Sequence, residues 1–175
     1  DVLPYFLKNE GNMKRAKGKY HTTEGPLTID DFPNEEIIKK GILDGARELG
    51  YDILDDMHED VHNGFVMAQG TIKNGERFSA AKAYLSPIKN RPNLKVIKNG
   101  LVTSLIINKN NNQVEGVNFE LRGRNLKARA RKEVILCAGA FESPKILMLS
   151  GVGKIEDLQP FNIPQIVDLP VGYNL

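Results

Sequence analysis

Residues 132–153 read Lys-Glu-Val-Ile-Leu-Cys-Ala-Gly-Ala-Phe-Glu-Ser-Pro-Lys-Ile-Leu-Met-Leu-Ser-Gly-Val-Gly, and this stretch decides the reading of the whole chain. Val134, Ile135, Leu136 and Cys137 form a short apolar run with two β-branched members, as a buried strand would. Ala138, Gly139 and Ala140 follow, residues small enough for a ligand to approach the main chain. Ser143 offers an N-cap hydroxyl, and Pro144 sits where its missing N–H costs nothing. Ile146, Leu147 and Leu149 then build an apolar helix, which Ser150 and Gly151 stop. The expected unit is strand, small-residue turn, short helix and glycine exit.

In open α/β sheets, ligands bind beyond the carboxyl ends of strands. Helix N-termini there present free N–H groups and a dipole that favours anions such as a pyrophosphate. The residues by themselves suit a wall for a nucleotide cofactor. They suit an ordinary buried strand and helix equally well.

The order Gly139-Ala140-x-x-Ser143-Pro144-x-Ile146-Leu147-x-x-Ser150-Gly151-Val152-Gly153 resembles the second signature of the glucose-methanol-choline family of flavin oxidoreductases. The run before it is similar to the family's Glu-Val-Ile-Leu-Ser-Ala-Gly, with Cys137 in place of the serine. Supporting likenesses cover the rest of the chain. They include Leu3-Pro4-Tyr5-Phe6, Gly25-Pro26-Leu27, Gly75-x-Arg77-x-Ser79 and the closing Leu169-Pro170-Val171-Gly172-Tyr173-Asn174-Leu175. Ala80 departs from the threonine more usual in the family at that place.

The resemblance implies an α/β (α+β mix) fold class. A Rossmann-like FAD-binding domain with an antiparallel β-meander is joined by part of a substrate-binding sheet domain. On that pattern residues 1–66 belong mainly to the substrate domain and interdomain segments, 67–158 to the FAD-binding domain, and 159–175 return toward the substrate domain. It further implies FAD as cofactor, with contacts from Val102, Ala138, Gly139 and Ala140. Val102 corresponds to a family valine whose backbone N–H and C=O read the adenine edge; physics alone marks it only as a buried strand residue. The implied reaction oxidises the CH–OH group of an alcohol or sugar by hydride transfer to flavin, in the manner of glucose dehydrogenase-like and choline dehydrogenase-like members. Its partners are a small-molecule substrate and an electron acceptor, oxygen or quinone-like, with no nucleic acid and no membrane span. The family's general-base histidine and its N-terminal Gly-x-Gly-x-x-Gly match nothing here, so none of His21, His58 and His62 is nominated as catalytic. Substrate and compartment stay open, secretion being one location the family allows.

A length of 175 residues can hold one domain, but the chain opens on Asp1 without an initiator methionine and closes on Asn174-Leu175, which reads as an excerpt of a larger enzyme. Its 41% hydrophobic and 26% charged residues are those of a soluble globular protein, and a formal charge of +2 points to no polyanionic partner. The single cysteine, Cys137, excludes an internal disulfide and reads as a small buried hydrophobe.

Along the chain, residues 8–19 read as a basic exposed loop and Leu27 to Ile29 as a half-buried strand. Asn34, Glu35 and Glu36 open a helix carrying Ile38, Ile42 and Leu49, with Gly41 and Gly45 suggesting a close-packed neighbour and Gly50 ending it. Asn74-Gly75 marks a hairpin, and 80–85 a short helix ended by Pro87. Strands are expected at 94–97, 101–107, 114–120 and 126–130, running as a meander into the strand at 134–137. A short helix at 155–158 and a strand at 165–169 follow.

Two other chemistries have a claim. His58-Glu59-x-x-His62 satisfies the H-E-x-x-H pattern of a zinc hydrolase. That motif needs a stable amphipathic helix, whereas Asp55, Asp56 and Asp60 crowd it and Asn63-Gly64 interrupts it, so a polar surface loop is favoured. Arg122, Arg124, Lys127, Arg129, Arg131 and Lys132 form a basic stretch of the kind that binds polyanions. They alternate with Leu126, Ala128 and Ala130 and lack interleaved aromatics, which favours the solvated face of a strand.

Overall fold

The computed structural model describes all residues except 16, 17, 34, 35, 59, 62 and 175, together with the side chain of residue 36. The chain divides into two compact units, Asp1–Leu94 and Lys95–Leu175.

The first unit opens on helix α1 (Leu3–Asn9), with a proline in its first turn, where a missing N–H is harmless. It runs directly into β1 (Glu10–Asn12), which lies parallel to β2 (Leu27–Asp31). The expected basic loop over 8–19 is thus corrected in its first part: Glu10 and Asn12 are buried, and Asn12 is fully so. Helix α2 (Glu36–Glu48) follows, and its expected start signal at Asn34 and Glu35 lies outside the described residues. Ile37, Ile38 and Ile42 are exposed on it, as is Leu49 just past its end, while Ala46 is buried. The close packing expected at Gly41 and Gly45 is absent, since a side chain at either would meet nothing within 4 Å among the described residues.

β3 (Ile53–Leu54) pairs in parallel with β4 (Phe65–Val66), and β5 (Gln69–Gly70) completes the sheet β1-β2-β5 by antiparallel pairing with β2. β6 (Ile72–Lys73) and β7 (Glu76–Arg77) form the expected hairpin, with Asn74 and Gly75 at φ of 53° and 77°. Both positive angles match a turn whose twist suits the flanking strands. The helix expected at 80–85 is a π-helical turn over Ala81–Leu85, continued by a 3-10 turn (Ser86–Ile88) that contains Pro87.

The second unit is built on the antiparallel meander β8 (Leu101–Asn108), β9 (Gln113–Leu121) and β10 (Arg124–Arg129), in the order expected. Phe119 is buried on β9, while every residue of β10 is exposed on both faces. Residues 94–97 form no strand, and neither do 134–137. In the second segment Ile135 is 76% exposed and Cys137 is exposed too, so the cysteine is not the buried hydrophobe expected. A strand is made by the ladder beside it, and among the described residues no backbone pairs with 134–137. Helix α3 (Gly139–Leu149) follows, then α4 (Ile155–Leu158) and a 3-10 turn (Gln159–Phe161). The strand expected at 165–169 is reduced to one parallel bridge, Val167 to Val152. Ile146, Val152 and Leu158 are the buried apolar side chains around which α3 and α4 close.

Candidate functional site

Helix α3 starts earlier than its sequence suggests. Ala138 is the N-cap and Gly139, at φ of 90°, already belongs to the first turn. Ser143 is therefore not the cap but lies within the helix, as does Pro144. The Ser143 hydroxyl still works at the helix entrance, accepting the Ala138 N–H at 3.1 Å. Pro144 brings no N–H to the carbonyl of Ala140, so the first turn lacks one of its usual bonds. Ala138, Gly139 and Ala140 are all exposed, and a Cβ built on Gly139 meets nothing within 4 Å. An open turn of bulk-free residues leads an eleven-residue helix whose free N–H groups and dipole favour an anion.

The far end of α3 is tied down. The Gly151 N–H bonds the Met148 carbonyl at 2.9 Å and the Val152 N–H bonds that of Leu147 at 3.0 Å, a Schellman closure with Gly151 at φ of 86°. The buried Ser150 hydroxyl donates to the Ile146 carbonyl at 2.5 Å and accepts the Leu105 N–H of β8 at 2.8 Å. The Gly151 carbonyl accepts the Ile166 N–H at 2.7 Å, and the Gly153 N–H donates to the Val167 carbonyl at 3.0 Å. Ser150, Gly151 and Gly153 tie the end of α3 to neighbouring main chain, while the 138–140 end of the signature is exposed. Replacing Ser150 with alanine strands the Leu105 N–H and should cost about 1–3 kcal/mol, read as a lowered thermal midpoint of the full-length protein.

Val102 is half-buried on β8, opposite Phe119 and immediately before a bulge where the register slips at Thr103. Thr103 is the residue left out of register, and β8 is an edge strand among the described strands, so its outer backbone groups suit a main-chain contact with a ligand. The Leu105–Ser150 bond brings the strand bearing Val102 against the helix bearing Ala140. No hydrogen bond joins Val102 itself to residues 138–140 among the described residues. A mostly apolar cavity of about 630 Å³ opens beside the start of α3, walled by Ala140, Phe141, Pro144, Met148, Leu158 and Phe161.

The rival sites fare differently. Glu59 and His62 of the H-E-x-x-H pattern lie outside the described residues, while His58 is exposed. Among the described residues no group of three or more His, Cys, Asp or Glu side chains is placed to hold a metal. Of the basic stretch, Arg124, Lys127 and Arg129 lie exposed on β10, where Arg129 pairs with Glu115 of β9. No described helix is long and apolar enough to cross a membrane.

The first unit holds a polar cluster that sequence patterning does not reveal. Asn12 donates its amide to Glu10 Oε1 and to Gln69 Oε1, both at 2.9 Å, and accepts the Lys14 and Arg15 N–H groups. His21 places Nδ1 2.7 Å from Glu10 Oε1 and Nε2 2.5 Å from Asp56 Oδ2. Asp56 Oδ1 accepts the His58 N–H at 2.9 Å and faces the Arg15 guanidinium at 3.7 Å. Burial acts to raise the Asp56 carboxyl, but the His58 N–H, His21 and Arg15 outweigh it and hold the group below the usual carboxylate range.

This chain belongs to the GMC oxidoreductase family, whose profile matches residues 1–175. It is 40% identical over 179 residues to the glucose dehydrogenase [FAD, quinone] of Drosophila pseudoobscura pseudoobscura, a match covering 100% of this chain and 28% of that protein. With the mitochondrial choline dehydrogenase of Homo sapiens the identity is 37% over 174 residues, 99% of this chain and 29% of that one. The solved FAD-dependent oxidoreductase of Chaetomium thermophilum superposes with a TM-score of 0.84 at 26% identity, over 97% of this chain and 31% of that one. The chain thus spans under a third of the length of each of these relatives, and its mixed α/β fold is that of FAD-dependent oxidoreductases of this family.

Proposed function

We propose that the protein is an FAD-dependent oxidoreductase that takes a hydride from the CH–OH group of an alcohol or sugar and passes the electrons to oxygen or a quinone-like carrier. The carrying observation is the open, bulk-free turn at residues 138–140, set at the N-terminus of α3 in a chain of this family. When bound, the flavin would supply the hydride acceptor. Ala138, Gly139 and Ala140 would give it a wall without side chains, and the free N–H groups of the α3 N-terminus would favour its phosphate charge. Val102 would meet the adenine edge through its backbone on β8, an edge strand of the described sheet. Ser150, Gly151 and Gly153 keep α3 fixed on β8 and on residues 166–167, so that the wall holds its position.

On this reading residues 67–158 are the FAD-binding part, residues 1–66 lie mainly in the substrate domain, and 159–175 lead back toward it. No residue here is assigned as the base, and the proton-accepting group belongs to another part of the full-length enzyme. The full-length protein is expected to purify yellow, with the visible bands of oxidised flavin bleaching when an alcohol or sugar substrate is added without acceptor. A colourless protein that takes up no added FAD would defeat the proposal.

A further inference from the structure

The cluster around His21 poses a proton-counting problem. A neutral imidazole carries one N–H, so only one ring nitrogen can donate. Yet both nitrogens here face a carboxylate oxygen, Glu10 at 2.7 Å and Asp56 at 2.5 Å, and the three side chains are only 8%, 12% and 4% exposed. With both acids ionised and the ring neutral, two largely buried carboxylates share a single N–H, and the Asp56 charge sits against Nε2 with no hydrogen bond to that nitrogen, which carries an electrostatic penalty. One extra proton on the ring removes the conflict, giving a charge-assisted hydrogen bond to Glu10 and a close ion pair with Asp56, whose oxygen lies off the hydrogen-bonding direction of Nε2.

We propose that Glu10, His21 and Asp56 form a proton-dependent clasp that fastens the connection between β1 and β2 to the segment after β3, and loosens when the shared proton leaves. Glu10 belongs to β1, His21 to the connection and Asp56 to the segment running from β3 to β4, so one ring bridges three pieces of chain. The other charged or titratable groups facing it are Arg15, beside Asp56, and His58, whose ring centre lies 6.0 Å from that of His21. Asn12 and Gln69 contribute neutral amides. The clasp also forms part of the wall of a cavity of about 510 Å³, where Glu10, His21 and His58 meet the apolar side chains of Leu3, Phe6 and Ile29. Loosening it would alter that cavity, making the protonation state of this unit a control on its shape.

The sign of the dependence follows from the groups involved. Asp56 is held below the ordinary carboxylate range, so its contribution is present at neutral pH and lost only as acid titrates through its lowered folded value. Removal of the shared proton weakens the clasp from the alkaline side. The test is hydrogen exchange of the full-length holoenzyme, corrected for intrinsic rates, from about pH 5 to about pH 9. Protection over residues 10–15 and 18–22 should fall by about tenfold or more toward the alkaline end, while the 101–121 hairpin stays level.

In Asp56→Asn the second carboxylate is gone, so a neutral ring donating to Glu10 leaves no uncompensated charge and needs no extra proton. Protection should then lose its alkaline fall. A level wild-type profile, or an unchanged fall in Asp56→Asn, would overturn the proposal. Should Asp56→Asn fail to fold, Glu10→Gln applies the same logic from the other nitrogen: a level profile supports the clasp and an unchanged fall refutes it. Neither outcome depends on whether the flavin assignment is correct.

Discussion

The full-length protein carrying Gly151→Ala is expected to be severely destabilised. Gly151 sits at φ of 86°, and a Cβ there would lie 2.5 Å from the Pro164 carbonyl oxygen and 3.0 Å from Ile166 Cγ1. The left-handed backbone costs an L-residue about 1–2 kcal/mol, and forcing atoms into a filled space costs about 1–3 kcal/mol more. The clash is with backbone, so no rotamer change relieves it; either Pro164 moves or the Schellman closure opens. Both responses break the bonds from Ile166 and Val167 to the Gly151 carbonyl, which hold the chain after α4 against the end of α3. A combined loss of about 2–5 kcal/mol should appear as a lower thermal midpoint and faster proteolysis near residues 150–167. Gly123→Ala is the control, because Gly123 has φ of 72° with nothing within 4 Å of the added Cβ. It should show the conformational cost alone, about 1–2 kcal/mol. Equal losses in the two variants would mean that the packing at Pro164 contributes nothing.

These effects sort the elements by how they are written in the sequence. The turn at Asn74-Gly75 and the meander are local statements: two residues that accept positive φ, between alternating runs that pair with their immediate neighbours. The end of α3 at Ser150-Gly151 is equally local. Residues 134–137 carry the composition of a buried strand, but burial and pairing depend on a neighbour far along the chain, and Ile135 stands exposed with no ladder beside it among the described residues. Its start shows the same limit in small form. Ser143 and Pro144 have the residue types of a cap and first turn, yet Gly139 enters the helix first.

The Glu10–His21–Asp56 cluster was the least legible part. Its members lie far apart in sequence, within stretches whose charge reads as solvent-facing. Glu10 sits in a basic run and Asp56 among other acids. Buried charges answer to one another in space, so periodicity has nothing to register. The candidate cofactor wall was legible for the opposite reason. What it requires is an absence of bulk at three consecutive positions before a helix, and Ala138-Gly139-Ala140 states that directly.

That absence of bulk yields the sharpest expectation. If the proposed FAD assignment is right, Ala138→Trp in the full-length protein should leave the fold intact and remove the flavin. Ala138 is exposed, its φ is −89°, and its N–H bond to Ser143 Oγ is a main-chain bond that any residue retains. Ala138 is exposed on this unit, so stability should change by about 0.5 kcal/mol or less, the usual range for a surface position. If the cofactor lies along residues 138–140, the same indole occupies its place, and displacing several atoms of a tightly held ligand should weaken FAD binding by about a hundredfold or more. The measurement is the ratio of flavin absorbance to protein absorbance after gel filtration, alongside circular dichroism to confirm the fold. Lys127→Trp, on the exposed strand β10, adds the same bulk away from the turn and should keep its flavin. If Ala138→Trp keeps a full complement of FAD, residues 138–140 are not the wall. The smallness of those side chains would then need another cause, such as close approach of a different part of the enzyme, in which case Ala138→Trp should lose stability in place of colour.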